Sequence, residues 1–269
     1  ALHLQMDGHE VTLVERGEPG KGASYGNAGI IVHGASMPVA LKGMWRDIPK
    51  LILGTQPYFR IRWPYLPVIL PWALRLLSES REKKMETNAA ALATLSGHAK
   101  PAWHHLVDQT KTWNLIGSKG WLKVYKTKKA FDSTLMLRSI YDQNGGIYQI
   151  LNSDEIRQME PVIAPIFDWA LYFPEFDSIL NPFRLVQKFL AHFLDRGGKL
   201  FCGEVKDFEL TNRPLGVKTN NGLVLGDVIV LAAGAWSKSL ALKTGDDVPL
   251  GTERGYHFML PKMCPGPTR

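Results

Sequence analysis

Apolar and polar positions change period several times along the chain, and each change marks an element. Ala1–Met6 reads as the closing turns of a helix, with Gly8 as its left-handed stop. "HEVTLVE" (His9–Glu15) is β-branched and mostly apolar, the pattern of a strand covered on both faces in a parallel sheet, and it ends on an acid. Further on, apolar residues recur at helical spacing from Ala89 to Lys111 and from Lys129 to Asp142. "NSDEIRQMEP" predicts a helix opened by Ser153, with Asp154 and Glu155 in its first turn. "DWALYFPEFDSILNP" predicts a strand and a turn. "NPFRLVQKFLAHFLDRGG" predicts an amphipathic helix capped by Asn181, with Pro182 at its first position and glycines at its stop. From Lys199 the period falls to two, and short strands alternate with the turn signals "NRPLG" and "NNG". The last of them, "DVIVLAAGAWS", predicts a continuous buried strand that breaks into small residues at Ala232–Ala235. The chain shows no internal repeat and no low-complexity segment.

Composition narrows the class. A chain of 269 residues, 45% hydrophobic and 21% charged, can bury a sizeable core as one large domain or two interleaved ones. The formal charge is +7, and its densest group is "KVYKTKK" (Lys123–Lys129), which alternates with apolar residues as an exposed strand edge does. No nucleic-acid module accompanies that charge, so it predicts a solvated basic surface or one that meets an acidic membrane or partner, not nucleic acid. Cys202 and Cys264 belong to no CxxC pair, which argues against a zinc site or a disulfide scaffold and favours a reducing compartment. The longest apolar run, "WPYLPVILPWALRLL" (Trp63–Leu77), is interrupted by Pro64, Pro67, Pro71 and Arg75 and falls short of the roughly 20 residues that span a bilayer. It predicts a helix-packing segment, with docking on a surface as the other use. No signal-peptide layout opens the chain.

Two stretches carry candidate chemistry. A helix, a glycine, a buried strand and a terminal acid form the second half of a βαβ dinucleotide unit, in which the acid, here Glu15, accepts hydrogen bonds from ribose hydroxyls. The plainer alternative is an acid that marks a strand end in water. After Glu15 the loop from Gly17 to Gly29 is rich in glycine, with Ser24 and Asn27 as short polar side chains. Such a loop lets a backbone approach a phosphate or a ring closely. The alternative is a tolerant surface loop, although the run into "GIIV" favours ligand contact. The small residues that end "VIVLAAGAWS" leave room for a ligand outside the carboxyl end of a strand, or serve only a tight turn.

Taken in order, "VTLVERG", "GASYGNAGII", "FDSILNPFRLV", "GEVKDFEL", "VIVLAAGAWS" and "PLGTERGYHFML" resemble the FAD-dependent D-amino-acid oxidase family, above all the D-amino-acid dehydrogenase small subunits. They cover nearly the full chain. The resemblance implies a mixed α/β fold: a glutathione-reductase-type FAD-binding Rossmann domain (1–40 and 181–235) and an interleaved substrate domain of antiparallel sheet and helices (41–180 and 236–269). By position, it implies that Glu15 holds the adenosine ribose with Arg16 beside it. Ser24 faces the pyrophosphate, and Asn27, Ala28 and Gly29 pass along the flavin. Val205 offers its backbone to the adenine. Ala233 and Gly234 line the cofactor, Trp236 packs close by, and Tyr256 or His257 lies near the substrate. No metal is implied.

The chemistry implied is hydride transfer from an amine carbon to flavin, with hydrolysis of the imine to a 2-oxo acid and ammonia. His33, His104 and His105 read as packing or surface residues. The resemblance places the glycine fingerprint GxGxxG before Ala1 and a C-terminal portion after Arg269, so the chain reads as an internal part of such an enzyme. It implies an amino-acid substrate, with oxygen or a membrane quinone as electron acceptor. The expected placement is cytoplasmic, with a peripheral position on the inner membrane as the other option, and the oligomeric state is left open. The alternative is a non-catalytic remnant, or a subunit that needs a partner to complete the flavin site. An NAD-type Rossmann protein fits less well, because the β-meander before "VIVLAAG" is typical of the glutathione-reductase type.

Overall fold

The computed structural model describes residues 1–32, 48, 62–211, 213–252 and 255–256. These form two compact units. One takes Ala1–Gly29, Leu106–Leu115 and the described residues from Ile179 on; the other takes the described residues of 30–105 and 116–178.

In the first unit, helix α1 (Leu2–Met6) ends where Gly8 adopts φ +90°, as its sequence predicts. Strand β1 (Thr12–Glu15) follows. Much later in the chain come helix α8 (Pro182–Asp195) and strand β8 (Lys199–Cys202), which pairs parallel to β1 with Glu15 opposite Cys202. Asn181 caps α8 as expected, its side chain accepting from Arg184 N at 2.9 Å. The helix buries Leu185 and Phe193, and Gln5 of α1 donates through Nε2 to Phe193 O at 3.0 Å, which fixes one helix to the end of the other. Strands β9 (Val205–Glu209), β10 (Leu215–Thr219) and β11 (Gly222–Gly226) form the predicted antiparallel meander.

Two expectations in this unit need correction. Strand β1 is half-buried along Leu13–Glu15, with Thr12 exposed, because its one described ladder is to β8. More sharply, Val228–Ala233 carry no strand assignment, and Val228 and Val230 are 79% and 65% exposed. An apolar run becomes a buried strand only where neighbours supply its hydrogen bonds, and none of the described residues does so here.

The second unit is built on β4 (Trp121–Tyr125), β5 (Gln149–Asn152) and β6 (Trp169–Phe173), ordered β4-β6-β5 with both pairings antiparallel. Central β6 alternates so that Leu171 and Phe173 pack against Phe131, Tyr141 and Phe176, while Ala170 lies with Leu122, Leu151 and Ile156 on the other face. Trp121 stacks on Phe176 at 5.9 Å, and Phe131 on Trp169 at 5.0 Å. Burial among these rings pushes the Tyr141 phenol up to about 12. Lys123 lies on the edge strand β4 and is exposed, as the alternation predicts.

Helices α2 (Leu66–Glu79), α3 (Glu82–Gly97), α4 (Ala99–Thr110), α5 (Lys128–Asp132) and α6 (Leu135–Gln143) complete the helical middle. The helical pattern read from Ala89 to Lys111 is broken at His98, and its first helix begins seven residues before Ala89, at Glu82. Helix α7 (Ser153–Met159) is capped one residue earlier than predicted. Asn152 accepts from the backbone of Asp154 and Glu155, and Glu155 Oε2 accepts from Asn152 N at 2.8 Å, a complete capping box worth about 1 kcal/mol. A short sheet, β2 (Ile30–Ile31), β7 (Asp177–Ile179) and β3 (Ile116–Gly117), is ordered β2-β7-β3.

Candidate functional site

In open α/β sheets ligands collect outside the carboxyl ends of parallel strands, so the ends of β1 and β8 are the place to look. The Glu15 side chain is half-buried. Its Oε1 accepts from Gly17 N at 3.1 Å, and its Oε2 takes no hydrogen bond from a described residue. The Glu15 backbone oxygen accepts from Gly203 N at 2.9 Å, and that link draws Gly203–Val205 to the same edge. Arg16 turns the other way and lays its guanidinium over the Trp236 ring, 3.9 Å from the centroid. Four of the residues singled out by sequence, Glu15, Arg16, Val205 and Trp236, are thereby linked to one strand end.

The sequence reading passed over Glu204 and Lys206, which join this group. Glu204 lies at 2.5 Å from Lys206 Nζ; that hydrogen bond first, then the charges of Lys206 and Arg16, hold its carboxyl below the usual range. Both are exposed, so the shift reflects a local charge pair and not a desolvated catalytic acid. The signal that could have found them is their position in "CGEVK", directly after β8.

The glycine loop divides in two. Gly20 (φ +89°) packs on α8, where an added Cβ would meet Phe183 at 3.1 Å and Val186 at 3.2 Å. Gln187 Nε2 donates to Pro19 O, and Tyr25 meets Phe183 edge-on at 5.8 Å. At the far end Gly29 (φ +71°) is closed in by β7: Ile179 N donates to Gly29 O at 2.6 Å, and an added Cβ would fall 2.4 Å from Ile179 O. Asn27 Oδ1 accepts from Gly29 N at 2.7 Å, an Asx turn that sets this approach. Gly20 and Gly29 therefore answer to packing within the chain. Gly17 and Gly22 do not, because the space beside each is open. Ser24 is half-buried in the same loop, and Ala28 is exposed just before Gly29. Ala233 is half-buried and Gly234, at φ +55°, opens a 3-10 turn to Trp236 with nothing within 4 Å of an added Cβ.

These features fit an adenosine-bearing cofactor at its ribose end. A carboxylate with an available oxygen stands at a parallel strand end, flat side chains lie beside it, and open space adjoins the glycines. The substrate residues are less gathered. Tyr256 is 89% exposed, and His257 lies outside the described residues, as does His33. His104 is more than the packing residue its sequence suggests: Nε2 lies 2.7 Å from Oδ2 of Asp177, a carboxylate only 3% exposed at the start of β7. Among the described residues no group of three or more His, Cys, Asp or Glu could hold a metal ion, and no helix is long and apolar enough to cross a membrane.

The family model for FAD dependent oxidoreductases, DAO, matches residues 1–268. The chain belongs to this family. It is 35% identical over 271 residues to a D-amino-acid oxidase of Bradyrhizobium diazoefficiens, covering 99% of this chain and 64% of that protein. A D-amino acid dehydrogenase of Vibrio vulnificus is 26% identical over 97% of this chain and 64% of its own length. In fold the chain is similar to glycine oxidase from Geobacillus kaustophilus, with a TM-score of 0.58 at 22% identity over 90% of this chain and 53% of that one. The chain thus spans slightly under two thirds of the length of the two curated relatives. The fold is the mixed helix-and-sheet architecture of these FAD-dependent oxidoreductases, as the ordered motifs led us to expect.

Proposed function

We propose that this chain supplies the adenosine-binding edge and part of the substrate side of an FAD-dependent enzyme that oxidises the amine carbon of a D-amino acid. The observation that carries the reading is the Glu15 carboxylate at the carboxyl end of β1, steered by Gly17 N while the Glu15 backbone holds Gly203. Such a carboxylate accepts hydrogen bonds from vicinal ribose hydroxyls, and the fixed loop backbone spares it reordering when a nucleotide arrives.

In this reading the cofactor part of the chain is 1–40 with 181–235, and the substrate part is 41–180 with 236–269. FAD, when bound, supplies the acceptor for the hydride of the amine carbon, and hydrolysis of the resulting imine gives a 2-oxo acid and ammonia. The chain's own contribution is binding and orientation. Glu15 holds the ribose, and the Arg16 guanidinium, kept in place by the Trp236 ring, sets a positive charge beside it. Val205 offers its backbone next to the strand end. Ser24, Asn27 and Ala28 border the open side of the loop, and Ala233 and Gly234 leave space at the second approach. Gly29 keeps the loop closed against Ile179, a packing task that any contact with the flavin would share. Tyr256 and His257 are assigned to the substrate side.

Preference for D-amino acids is supported by the 35% identity to a protein named D-amino-acid oxidase and the 26% identity to one named D-amino acid dehydrogenase. The basic charge supports a membrane quinone as electron acceptor and a place on the cytoplasmic face of the membrane. The test is dye reduction by the FAD-supplemented protein, offered D- and L-alanine and D-proline in parallel. Reduction with the D-amino acids alone is expected. Reduction with L-alanine alone overturns the D assignment, and reduction with no amino acid overturns the enzyme reading.

A further inference from the structure

Helices α2 and α8 are each 14 residues long, and they treat their apolar side chains in opposite ways. Helix α8 buries Leu185 and Phe193. Helix α2 buries none of its residues, although it is the most apolar of the described helices by composition, "LPVILPWALRLLSE". Val68 is 64% exposed, Leu74 58% and Leu70 45%, and Trp72 and Ile69 stand out beside them. The 3-10 turn that leads into it, Trp63–Tyr65, adds two more exposed aromatic residues. An apolar patch of this kind marks an interaction surface, because water-facing helices place such residues inward.

We propose that Trp63–Leu77 docks this protein on an anionic phospholipid surface. Three features select that occupant. First, the segment carries exposed Arg62 and Arg75, and no carboxylate occurs between Arg62 and Ser78, so its charge complements an anionic headgroup layer. Arg81 and Lys83 follow, exposed at the start of α3, with the exposed Glu82 between them. Second, the exposed Trp63 and Tyr65 before the helix and Trp72 within it suit the headgroup boundary, where an apolar ring and a polar tip are both satisfied. Third, a helix of this length extends about 21 Å, too short to cross a hydrocarbon core of about 30 Å but suited to lie in its interface. The inference does not rest on the flavin reading: the surface is made of other residues, and binding to vesicles is read without cofactor or substrate.

The experiment is cosedimentation of the full chain with vesicles of phosphatidylglycerol and phosphatidylethanolamine, with pure phosphatidylcholine vesicles as the neutral control. The wild type should pellet with the anionic vesicles, less so in high salt, and only weakly with the neutral ones. The triple variant Val68→Ser, Leu70→Ser, Leu74→Ser changes exposed side chains only, so it should fold, and its apparent partition should fall by roughly tenfold or more. The pair Arg62→Gln, Arg75→Gln should weaken binding about tenfold and flatten its salt dependence. Circular dichroism and melting of each variant show that the fold is kept; should the triple variant not fold, the arginine pair decides alone. The proposal is overturned if the wild type does not pellet with anionic vesicles or if the folded triple variant pellets as the wild type does. It is equally overturned if the triple variant turns a dimer into a monomer without affecting vesicle binding, which would assign the surface to a second copy of the chain.

Discussion

Strand β6 is paired along both edges and buries Ala170 and Leu171 completely, whereas β1 has one described partner, β8, and leaves Glu15 half-exposed at its end. In the first region nearly every side chain has a packing reason: rings fill against rings, and the apolar alternation matches the pleat. In the second, packing accounts for Gly20 and Gly29 but not for Gly17, Gly22, Gly234 or the Glu15 carboxylate. The difference separates residues that packing explains from residues that it does not, and the second set contains those proposed to meet a ligand. Substitutions at the sheet should therefore register as stability, and substitutions at the strand end as binding.

The largest effect is expected at the sheet. Leu171→Ala removes a fully buried side chain next to Phe131, Tyr141 and Phe173, and should lower the unfolding free energy by roughly 2–5 kcal/mol in a urea titration. A loss below about 1 kcal/mol would show that this sheet is not the closed core described. Gly29→Ala comes next, because it places a Cβ against the Ile179 carbonyl at φ +71°, and a cost of about 3 kcal/mol is expected. This variant sharpens the comparison: it lies in the ligand loop yet should behave as a core substitution, and unchanged stability would return Gly29 to the ligand group.

The third effect is smaller and depends on pH. Burial raises the Tyr141 phenol from 10.0 to about 12, so the neutral form is the one that the fold favours. Its contribution is whole below about pH 10, falls as pH rises toward 12, and amounts to about 2–3 kcal/mol at most. Tyr141→Phe should lose less stability than the wild type between those two values, as read by melting temperature against pH. Parallel curves for the two proteins would contradict this.

What the sequence disclosed depended on range. Asn181 as a cap, Gly8 as a stop and the "NNG" turn are settled by a few neighbouring residues, and they were legible. The capping box at Asn152 was displaced by one position because Ser153 is also a good cap, and the choice turns on whether Glu155 can reach back. The strand read at Val228–Leu231 failed for a different reason: its apolar pattern is correct for a strand, but a strand is defined by partners that pattern alone does not supply. The pairing of His104 with Asp177 joins residues 73 apart and left no local trace. At the site, the type of residue was legible in the Gly/Ser/Asn loop and the terminal acid. Which glycines serve packing and which face open space was not, since that depends on Phe183, Val186 and Ile179 arriving from far along the chain.

The central claim is that the carboxylate at the end of β1 binds the ribose of FAD. The direct measurement is a titration of FAD into wild-type protein and Glu15→Ala, followed by flavin fluorescence, with the melting temperature of each unliganded protein as control. The account predicts saturable binding to the wild type, affinity weaker by about tenfold or more in the variant, and equal unliganded melting temperatures, because Glu15 is half-exposed and its packing contribution is small. Equal affinity of the two proteins for FAD would contradict it.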